Sequence, residues 1–513
     1  MPLISEICLP DGKSYNQPLG LFIDNEFHES ISGKTFEVVN PTTEDVIAHV
    51  YEAGSEDVDL AVAAARRAFK GPWRTTTPED RGKLLRRVAD LIEKNLDLLA
   101  KVETLNNGKA QQWAIGDVAH CVSVFNYYAG WADKMEGKVI DVDTERFNFT
   151  KREPFGVCGL IIPWNAPLVL MSWKVAPALA AGNTVVVKTS ELTPLSALLL
   201  ADLFKQAGAP AGIFNVISGF GNVAGAALAS HMDVAKISFR GSTTTGRAIM
   251  QAAAKSNLKP VTLELGGKGP NIVFDDADFD AAVEWVTFGI FYSSGQVCCA
   301  GSRVYIQAGI YDRFLDALRA RVALISVGDP FDINTFHGPQ TSKAQFDRIL
   351  GYIKSGVDDG AKIEAGGSRW GEKGFFIQPT IFSGASHDMK IMRDEIFGPV
   401  CVVSKFKTQD EVVQAANATS YGLASGVHTK NIDRALNVSN LLETGTVWVN
   451  QVRTHQQNAC SSLTLLRAKY NTIHHQLPFG GYKESGIGRE LGAAVLESYT
   501  TIKTVSVRLS GTQ

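Results

Sequence analysis

The spacing of apolar residues along the chain predicts helices first and then an alternation of strands and helices. Residues 56–69 and 78–102 place alanine and leucine at three- and four-residue steps between charged residues, which is typical of amphipathic helices. Farther along, strands are predicted at residues 156–162, 184–188, 213–217 and 235–239, and helices at residues 167–181, 194–207 and 222–230. This β-α-β alternation indicates a parallel, doubly wound sheet. A similar alternation over residues 262–404 predicts a second α/β domain.

One segment departs from this pattern. Residues 452–469 (VRTHQQNACSSLTLLRAK) are first polar and then apolar, without a clean period or turn residues, and they interrupt an otherwise regular passage from Trp448 to Gly481. Two interpretations stay open: an inserted loop of this protein, or an artefact of the gene model.

Composition narrows the class of protein. A chain of 513 residues is too long for one simple core, so we expect at least two domains. A net charge of −3 offers no field that would attract nucleic acid or an anionic membrane, and no apolar run is long enough to span a bilayer. Seven cysteines and the absence of a targeting segment favour the cytoplasm, so we expect no nucleic-acid or membrane partner.

Two short motifs carry candidate chemistry. Cys298 follows a Gly-Gln turn and precedes small residues, which leaves room for a ligand beside its sulfur. Most cysteines are simply small buried residues, and only this setting distinguishes Cys298. Glu264 lies inside the apolar run of TLELGGKGP, where an unpaired carboxylate is costly. A buried glutamate with a raised pKa is a candidate general base, although a glutamate in a structural ion pair is the more common case.

These two motifs resemble the glutamate and cysteine signatures of the aldehyde dehydrogenase superfamily. PWNAP at residues 163–167, EIFGP at 395–399 and PFGGYKESG at 478–486 match further blocks of that family in the same order. The resemblance runs from about residue 21 to residue 507. The family spacing, Gly-Gln, any residue, then the nucleophile, selects Cys298 rather than Cys299.

The resemblance implies a hydrolytic, NAD(P)-dependent aldehyde dehydrogenase. Cys298 would attack the aldehyde, and the Asn165 amide with the Cys298 backbone N–H would stabilise the oxyanion. After hydride transfer, Glu264 would activate the water that hydrolyses the thioester. Superfamily members that transfer the acyl group to coenzyme A generally lack this glutamate. Its presence therefore favours the free acid as product.

The resemblance also places the cofactor. Lys188 and Glu191 match the pair that holds the adenosine ribose, and a carboxylate there would repel a 2′-phosphate, so NAD is favoured over NADP. The helix that follows Ser242 offers free amides to a pyrophosphate. Many relatives have threonine where Arg240 stands, which leaves the detail of this loop open. The remaining expected cofactor residues are Trp164, Gly221, Gly225, Gly241, Gly246, Glu395 and Phe397.

A substrate tunnel and an oligomerisation arm follow from the same resemblance. The expected tunnel residues are Ala166, Val169, Leu170, Trp173, Tyr292 and Ile473. None is charged, which argues against a strongly anionic substrate, and Ala166 and Ile473 replace aromatic residues of many relatives, which suggests a bulkier aldehyde. We expect no metal. An arm at residues 132–152 is expected to pair with a strand near residues 501–507 and to build a homodimer or homotetramer.

The expected fold is therefore α/β, with a Rossmann-like cofactor domain, a second α/β catalytic domain and a small β oligomerisation arm. The predicted boundaries are residues 1–131 and 155–266 for the cofactor domain, 267–476 for the catalytic domain, and 132–154 with 477–513 for the arm and the C-terminal strand. Two other functions stay open: an inactive scaffold of the same fold, because residues 452–469 fall where the tunnel mouth is expected, and a coenzyme A-acylating dehydrogenase.

Overall fold

The computed structural model describes residues 2–450 and 473–509. The unusual segment at residues 452–469 lies outside the described residues. Within the described ranges, no helix has both the length and the apolar character needed to cross a membrane.

Strands and helices alternate through most of the described chain. The first part contains β1 (Ile4–Cys8), β2 (Ser14–Pro18), β3 (Leu21–Ile23), β4 (Glu26–His28), β5 (Thr35–Val39), β6 (Val46–Tyr51), α1 (Ser55–Lys70), α2 (Pro78–Lys94), α3 (Leu96–Asn107), α4 (Gln111–Ala129) and β7 (Arg146–Pro154). The next contains β8 (Val157–Ile161), α5 (Pro167–Ala180), β9 (Thr184–Thr189), α6 (Leu195–Gln206), β10 (Phe214–Ser218), α7 (Ala226–Ser230), β11 (Lys236–Arg240), α8 (Thr243–Lys255) and β12 (Val261–Glu264).

The second half continues the alternation. It contains β13 (Pro270–Val273), α9 (Phe279–Phe291), β14 (Arg303–Gln307), α10 (Tyr311–Ala323), α11 (Lys343–Asp358), β15 (Lys362–Ala365), β16 (Thr380–Ser383), α12 (Lys390–Arg393), β17 (Val400–Phe406), α13 (Gln409–Asn417), β18 (Ala424–His428), α14 (Ile432–Leu441), β19 (Thr446–Val449), β20 (Gly486–Ile487) and β21 (Thr500–Arg508).

Two mostly parallel sheets organise the molecule. The first has the strand order β20-β12-β11-β8-β9-β10-β3-β4, and its five central strands are parallel. The second has the order β15-β16-β17-β14-β13-β18-β19, with parallel pairing everywhere except at β15. Every residue of β8, β9, β10 and β11 is buried, because helices cover both faces of the sheet. The predicted α/β fold is confirmed.

The antiparallel pair β7 and β21 forms a separate two-stranded sheet. Its register runs from Thr500 opposite Pro154 to Arg508 opposite Arg146. The pairing of the arm with a C-terminal strand, expected from the family resemblance, is therefore present. The division of the chain into domains stays a prediction.

Two helix predictions need correction. The periodic segment 78–102 is not one helix, because α2 ends at Lys94 and α3 starts at Leu96, with Asn95 between them at φ −104° and ψ 16°. The apolar spacing continues across this break, so periodicity alone did not reveal it. The helix predicted at residues 222–230 begins instead as a π-helical turn over Gly221–Gly225 and becomes α-helical only at α7.

Candidate functional site

The carboxyl ends of the central parallel strands meet at one edge of the first sheet. From β8 the chain moves to β9 and β10 on one side, and β11 and β12 then add on the other side, so the strand order reverses between β8 and β11. Such a reversal opens a crevice at the carboxyl edge of an α/β sheet. Asn165 follows β8, Arg240 ends β11 and Glu264 ends β12. The topology thus brings three of the chemistry-bearing positions to one crevice.

The loop that carries Cys298 runs from α9 to β14 through a strained turn. Ser293, Ser294 and Gly295 have positive φ angles of 49°, 56° and 69°. Two consecutive serines in this region cost energy, which the surrounding contacts must offset. The Ser294 hydroxyl donates to the carbonyl of Gly338 at 2.9 Å, and a side chain at Gly295 would collide with the backbone of Gly398. The turn is thereby held in place just before the cysteine.

A cavity of about 440 Å³ lies above this cysteine. All six residues predicted for the tunnel line it, together with Asn165 and Cys298: Ala166, Val169, Leu170, Trp173, Tyr292 and Ile473. The wall also contains the charged residues Lys109, Asp117 and Arg240. Lys109 and Asp117 form a buried ion pair with each other. The wall is therefore less uniformly apolar than the six predicted positions indicated.

Arg240 contacts the sulfur of Cys298. Its Nη2 donates to Sγ at 2.9 Å, and both residues are buried, with exposed fractions of 5% and 8%. A hydrogen bond from the Cys299 thiol and the positive charge and hydrogen bond of Arg240 lower the pKa of Cys298 to about 6, although burial alone would raise it. The pKa of Cys299 moves in the opposite direction, well above its usual value, because its thiol donates to Cys298 and is itself buried. The electrostatics distinguish the two adjacent cysteines.

Glu264 is buried close to this pair. Its exposed fraction is 3%, and among the described residues neither carboxylate oxygen has a hydrogen-bond partner. Burial, followed by the negative charge of Glu490, raises the pKa of Glu264 well above its usual value, and the positive charge of Arg240 opposes that shift. A carboxyl group in this setting can accept or release a proton at much higher pH than an exposed one.

A buried ionic network holds the guanidinium of Arg240 in position. Its Nη1 lies 3.1 Å from a carboxylate oxygen of Glu490, and the other oxygen of Glu490 accepts from Lys174. Lys174 also donates to the hydroxyl of Ser238 at 2.9 Å. Sequence reasoning missed Lys174 and Glu490. A lysine inside the otherwise apolar α5 was the available signal for the first, whereas nothing local distinguished Glu490.

Asn165 lies at the cavity wall near the cysteine loop. Its Nδ2 donates to the carbonyl of Gln296 at 2.9 Å, which orients the amide and leaves its second N–H free for another acceptor. Among the described residues, the backbone N–H of Cys298 has no backbone acceptor. Contacts among the described residues therefore leave an N–H of each proposed oxyanion donor available.

The residues expected to hold the adenosine end of a dinucleotide fit that ligand. Lys188 is buried, and its Nζ lies 3.2 Å from the carboxylate of Glu191, whose side chain is one-third exposed. The Ser242 hydroxyl caps α8 by accepting from the amide of Thr245 at 3.2 Å, which leaves the preceding amides at a positive helix end. Side chains at Gly221 or Gly225 would extend into open space, which a ligand can use.

The residues expected near the nicotinamide come from segments that follow β8 and β11 and from the segment that precedes β17. A carboxylate oxygen of Glu395 accepts from the amide of Gly267 at 2.9 Å, and burial raises the pKa of Glu395 to about 7. Phe397 has a positive φ of 60°, and its ring lies edge-on to Trp164 at 5.2 Å. Gly241 precedes the Ser242 cap, and Gly246, which lies on α8, is buried against the side chain of Leu265. Within residues 2–450 and 473–509, no cluster of three potential metal ligands was found.

Comparisons with known proteins match almost the whole chain to one family. The sequence model described as "Aldehyde dehydrogenase family" matches residues 27–505. An aldehyde dehydrogenase of Davidiella tassiana is 59% identical over 500 residues, which cover 98% of this chain and 97% of that protein. An aldehyde dehydrogenase of Aspergillus niger is 55% identical over 507 residues, covering 99% of this chain and 98% of that protein.

Solved structures agree with these matches. An aldehyde dehydrogenase of Bacillus cereus, solved as a complex with NAD⁺, is similar with a TM-score of 0.91 and 47% identity, over 96% of this chain and 97% of that one. A betaine aldehyde dehydrogenase of Staphylococcus aureus, also in complex with NAD⁺, has a TM-score of 0.91 and 40% identity, over 97% of this chain and 96% of that one.

Proposed function

Since the chain belongs to the aldehyde dehydrogenase family, we propose that it oxidises an aldehyde to a carboxylic acid with NAD, through a thioester on Cys298. One observation carries the proposal: the sulfur of Cys298 lies in a buried cavity, 2.9 Å from the guanidinium of Arg240. A cysteine in such a setting is available as a thiolate, which is the reactive form in nucleophilic attack.

The first half of the reaction uses the cysteine and the amide donors. The Cys298 thiolate attacks the aldehyde carbon, a C–S bond forms, and the carbonyl oxygen becomes an oxyanion. The Nδ2 of Asn165 and the backbone N–H of Cys298 donate to that oxygen, and such a donor is typically worth about 10²–10³ in rate. When bound, NAD would supply the acceptor for the hydride that leaves the same carbon. The oxyanion then collapses to the carbonyl of a thioester.

The second half uses Glu264. The carboxylate takes a proton from water, the water oxygen attacks the thioester carbon, and the C–S bond breaks to release the acid and restore the thiolate. Glu264 then releases its proton to solvent before the next turnover. An enclosure that raises the pKa of Glu264 makes it a stronger base than an exposed glutamate. This residue favours hydrolysis over transfer of the acyl group to coenzyme A.

We propose that Glu191, together with Lys188, decides between NAD and NADP. Its partly exposed carboxylate, oriented by Lys188, would accept from a ribose 2′-hydroxyl and repel a 2′-phosphate. The complexes of the Bacillus cereus and Staphylococcus aureus proteins with NAD⁺ support the same cofactor class for this chain. We therefore propose NAD rather than NADP.

A bulky, uncharged aldehyde fits the cavity best. The cavity has a volume of about 440 Å³, and its wall includes Val169, Leu170 and Trp173, which suit an aliphatic or aromatic group. The charged wall residues already have partners, since Lys109 pairs with Asp117 and Arg240 with Glu490. None of them is a free cation that would select an anionic substrate.

The arm is proposed to join subunits. Apolar side chains are exposed on and beside β7 and β21, namely Val139, Ile140, Val142, Phe147, Ile502 and Val507. A two-stranded sheet with exposed edges and an apolar face is suited to pair with another chain. We propose a homodimer or homotetramer, and the cytoplasm as the compartment.

An NADH-production screen tests the proposed activity. Purified full-length protein would be mixed with NAD⁺ and a panel of aliphatic and aromatic aldehydes, with Cys298→Ser as the control, and both NADH and the acid product would be measured. The proposal expects NADH and free acid in equal amounts with the unmodified protein alone. Turnover that requires coenzyme A would assign the acylating reaction instead, and no turnover with any aldehyde would favour an inactive scaffold.

A further inference from the structure

The guanidinium of Arg240 is held rigidly against the catalytic sulfur. It lies 4.9 Å from the ring of Trp173 and 5.4 Å from the ring of Phe479, and its Nη1 is bound to the carboxylate of Glu490. These contacts surround the cation on several sides and leave Nη2 directed at Sγ of Cys298. A cation that is fixed before the reaction begins loses little entropy when it pairs with an anion.

The buried ion pairs around Arg240 contain more cations than anions. Arg240 and Lys174 share the single carboxylate of Glu490, and the buried Lys236 interacts electrostatically with the same carboxylate. A buried cluster with an excess positive charge is costly, so one further negative charge is favoured. Among the other ionisable groups beside Arg240, Glu264 has no hydrogen-bond partner among the described residues, whereas Cys298 accepts directly from the guanidinium. The sulfur is therefore the better position for that charge.

We propose that Arg240 is the counter-ion that holds Cys298 as a thiolate before cofactor or aldehyde binds. The cysteine of this enzyme is then reactive in the resting state and does not depend on the positively charged nicotinamide for its ionisation. This inference rests on the proposed function only in taking Cys298 as the nucleophile. A guanidinium keeps its charge over the whole physiological range, so only its partners titrate.

Several groups face this pair and must be separated from the effect of Arg240. Glu264 lies on β12, Lys174 on α5, Glu490 in the loop before β21, and Cys299 is the next residue in the chain. Glu395 also faces the sulfur, and its charge and that of Cys298 disfavour each other. All of these residues are present in both the unmodified protein and a variant at position 240. The difference between the two proteins isolates the guanidinium.

The test measures alkylation of the sulfur without any catalysis. Full-length protein without cofactor would react with iodoacetamide over about pH 5 to 9, and mass spectrometry would follow modification of the peptide that contains Cys298. Three variants accompany it: Arg240→Gln removes the charge, Arg240→Lys keeps it, and Cys299→Ala removes the neighbouring thiol. Thiolate absorbance of the unmodified protein against Cys298→Ser gives a second measurement that needs no substitution at Arg240.

The expected midpoint of alkylation is near pH 6 in the unmodified protein. Arg240→Gln should move it upward by roughly one to three pH units, the usual effect of losing an adjacent opposite charge, and Arg240→Lys should restore part of the shift. A midpoint above about pH 8 in the unmodified protein would overturn the proposal, and this reading holds even if Arg240→Gln does not fold. An unchanged midpoint in folded Arg240→Gln would overturn it as well. Normal alkylation with no aldehyde turnover would refute the proposed function alone.

Discussion

Arg240 and Glu264 are register partners on the adjacent parallel strands β11 and β12, and both are the last residues of their strands. Partner residues on neighbouring strands direct their side chains to the same face of a sheet. The guanidinium of Arg240 at the end of β11 is thus placed next to the proposed general base as well as next to the proposed nucleophile. When the sulfur becomes a neutral thioester, the carboxylate of Glu264 is the remaining anion that Arg240 can stabilise beside Glu490.

Glu264→Gln is expected to stop the enzyme after hydride transfer. The thioester forms, but water is poorly activated, so rapid mixing with aldehyde and NAD⁺ should show a burst of NADH followed by a slow steady state. Release of free acid at the normal rate would contradict the assigned role.

The unmodified enzyme should show the same signature when the pH is lowered. Burial raises the pKa of Glu264, and only the deprotonated form can accept a proton from water. Deacylation is therefore fastest above this raised pKa and falls as the pH drops through it, whereas thioester formation depends on the lowered pKa of Cys298. A burst that grows relative to the steady-state rate as the pH decreases is the expected result, and a burst ratio independent of pH would count against it.

Cys298→Ser should abolish dehydrogenase activity, whereas Cys299→Ser should keep most of it. The Cys298 sulfur contacts Arg240 and lines the cavity, and the pKa of Cys299 is raised so that its thiol stays protonated. Steady-state NADH production by both variants, each checked for a normal melting temperature, measures the difference. Equal loss in the two variants would refute the choice of nucleophile.

Glu191 predicts a preference for NAD, measured as kcat/KM with each cofactor. Glu191→Gln should narrow that preference, because the neutral amide no longer repels a 2′-phosphate. Glu79→Gln provides the control, since this glutamate is exposed on α2 and pairs only with Lys83 among the described residues. A kcat/KM for NADP equal to that for NAD in the unmodified enzyme would remove the claim.

Glu490→Gln should destabilise the protein by roughly 3–5 kcal/mol, because it leaves the buried cations Arg240 and Lys174 without their shared carboxylate. Glu497→Gln is the matched control. The carboxylate of Glu497 is exposed and lies 3.5 Å from Arg152, so this substitution should lower the free energy of unfolding by less than about 1 kcal/mol. Chemical denaturation gives both values. A small and equal loss of unfolding free energy in the two variants would show that the Glu490 carboxylate is not needed to balance the two buried cations.

Local patterns predicted the central sheet closely. The strand expected at residues 235–239 is β11 (Lys236–Arg240), and the helix expected at 167–181 is α5 (Pro167–Ala180). Apolar residues in β11 and α5, with Gly241 directly after the strand and Pro167 at the start of the helix, make these limits visible in the chain itself. The break at Asn95 was not visible, because apolar residues keep their helical spacing on both sides of it.

The sequence by itself determined the α/β alternation and the family motifs, and it favoured Cys298 over Cys299 as the nucleophile. Only the tertiary structure decided that Arg240 contacts Cys298 and that Glu490, 250 residues farther along the chain, holds the same guanidinium. Apolar periodicity and turn residues depend only on residues that are close in the sequence, so the sequence alone reveals them. Which ionisable side chains share one buried volume depends on how distant strands and loops pack, and the charges that result depend on that shared burial rather than on any single segment.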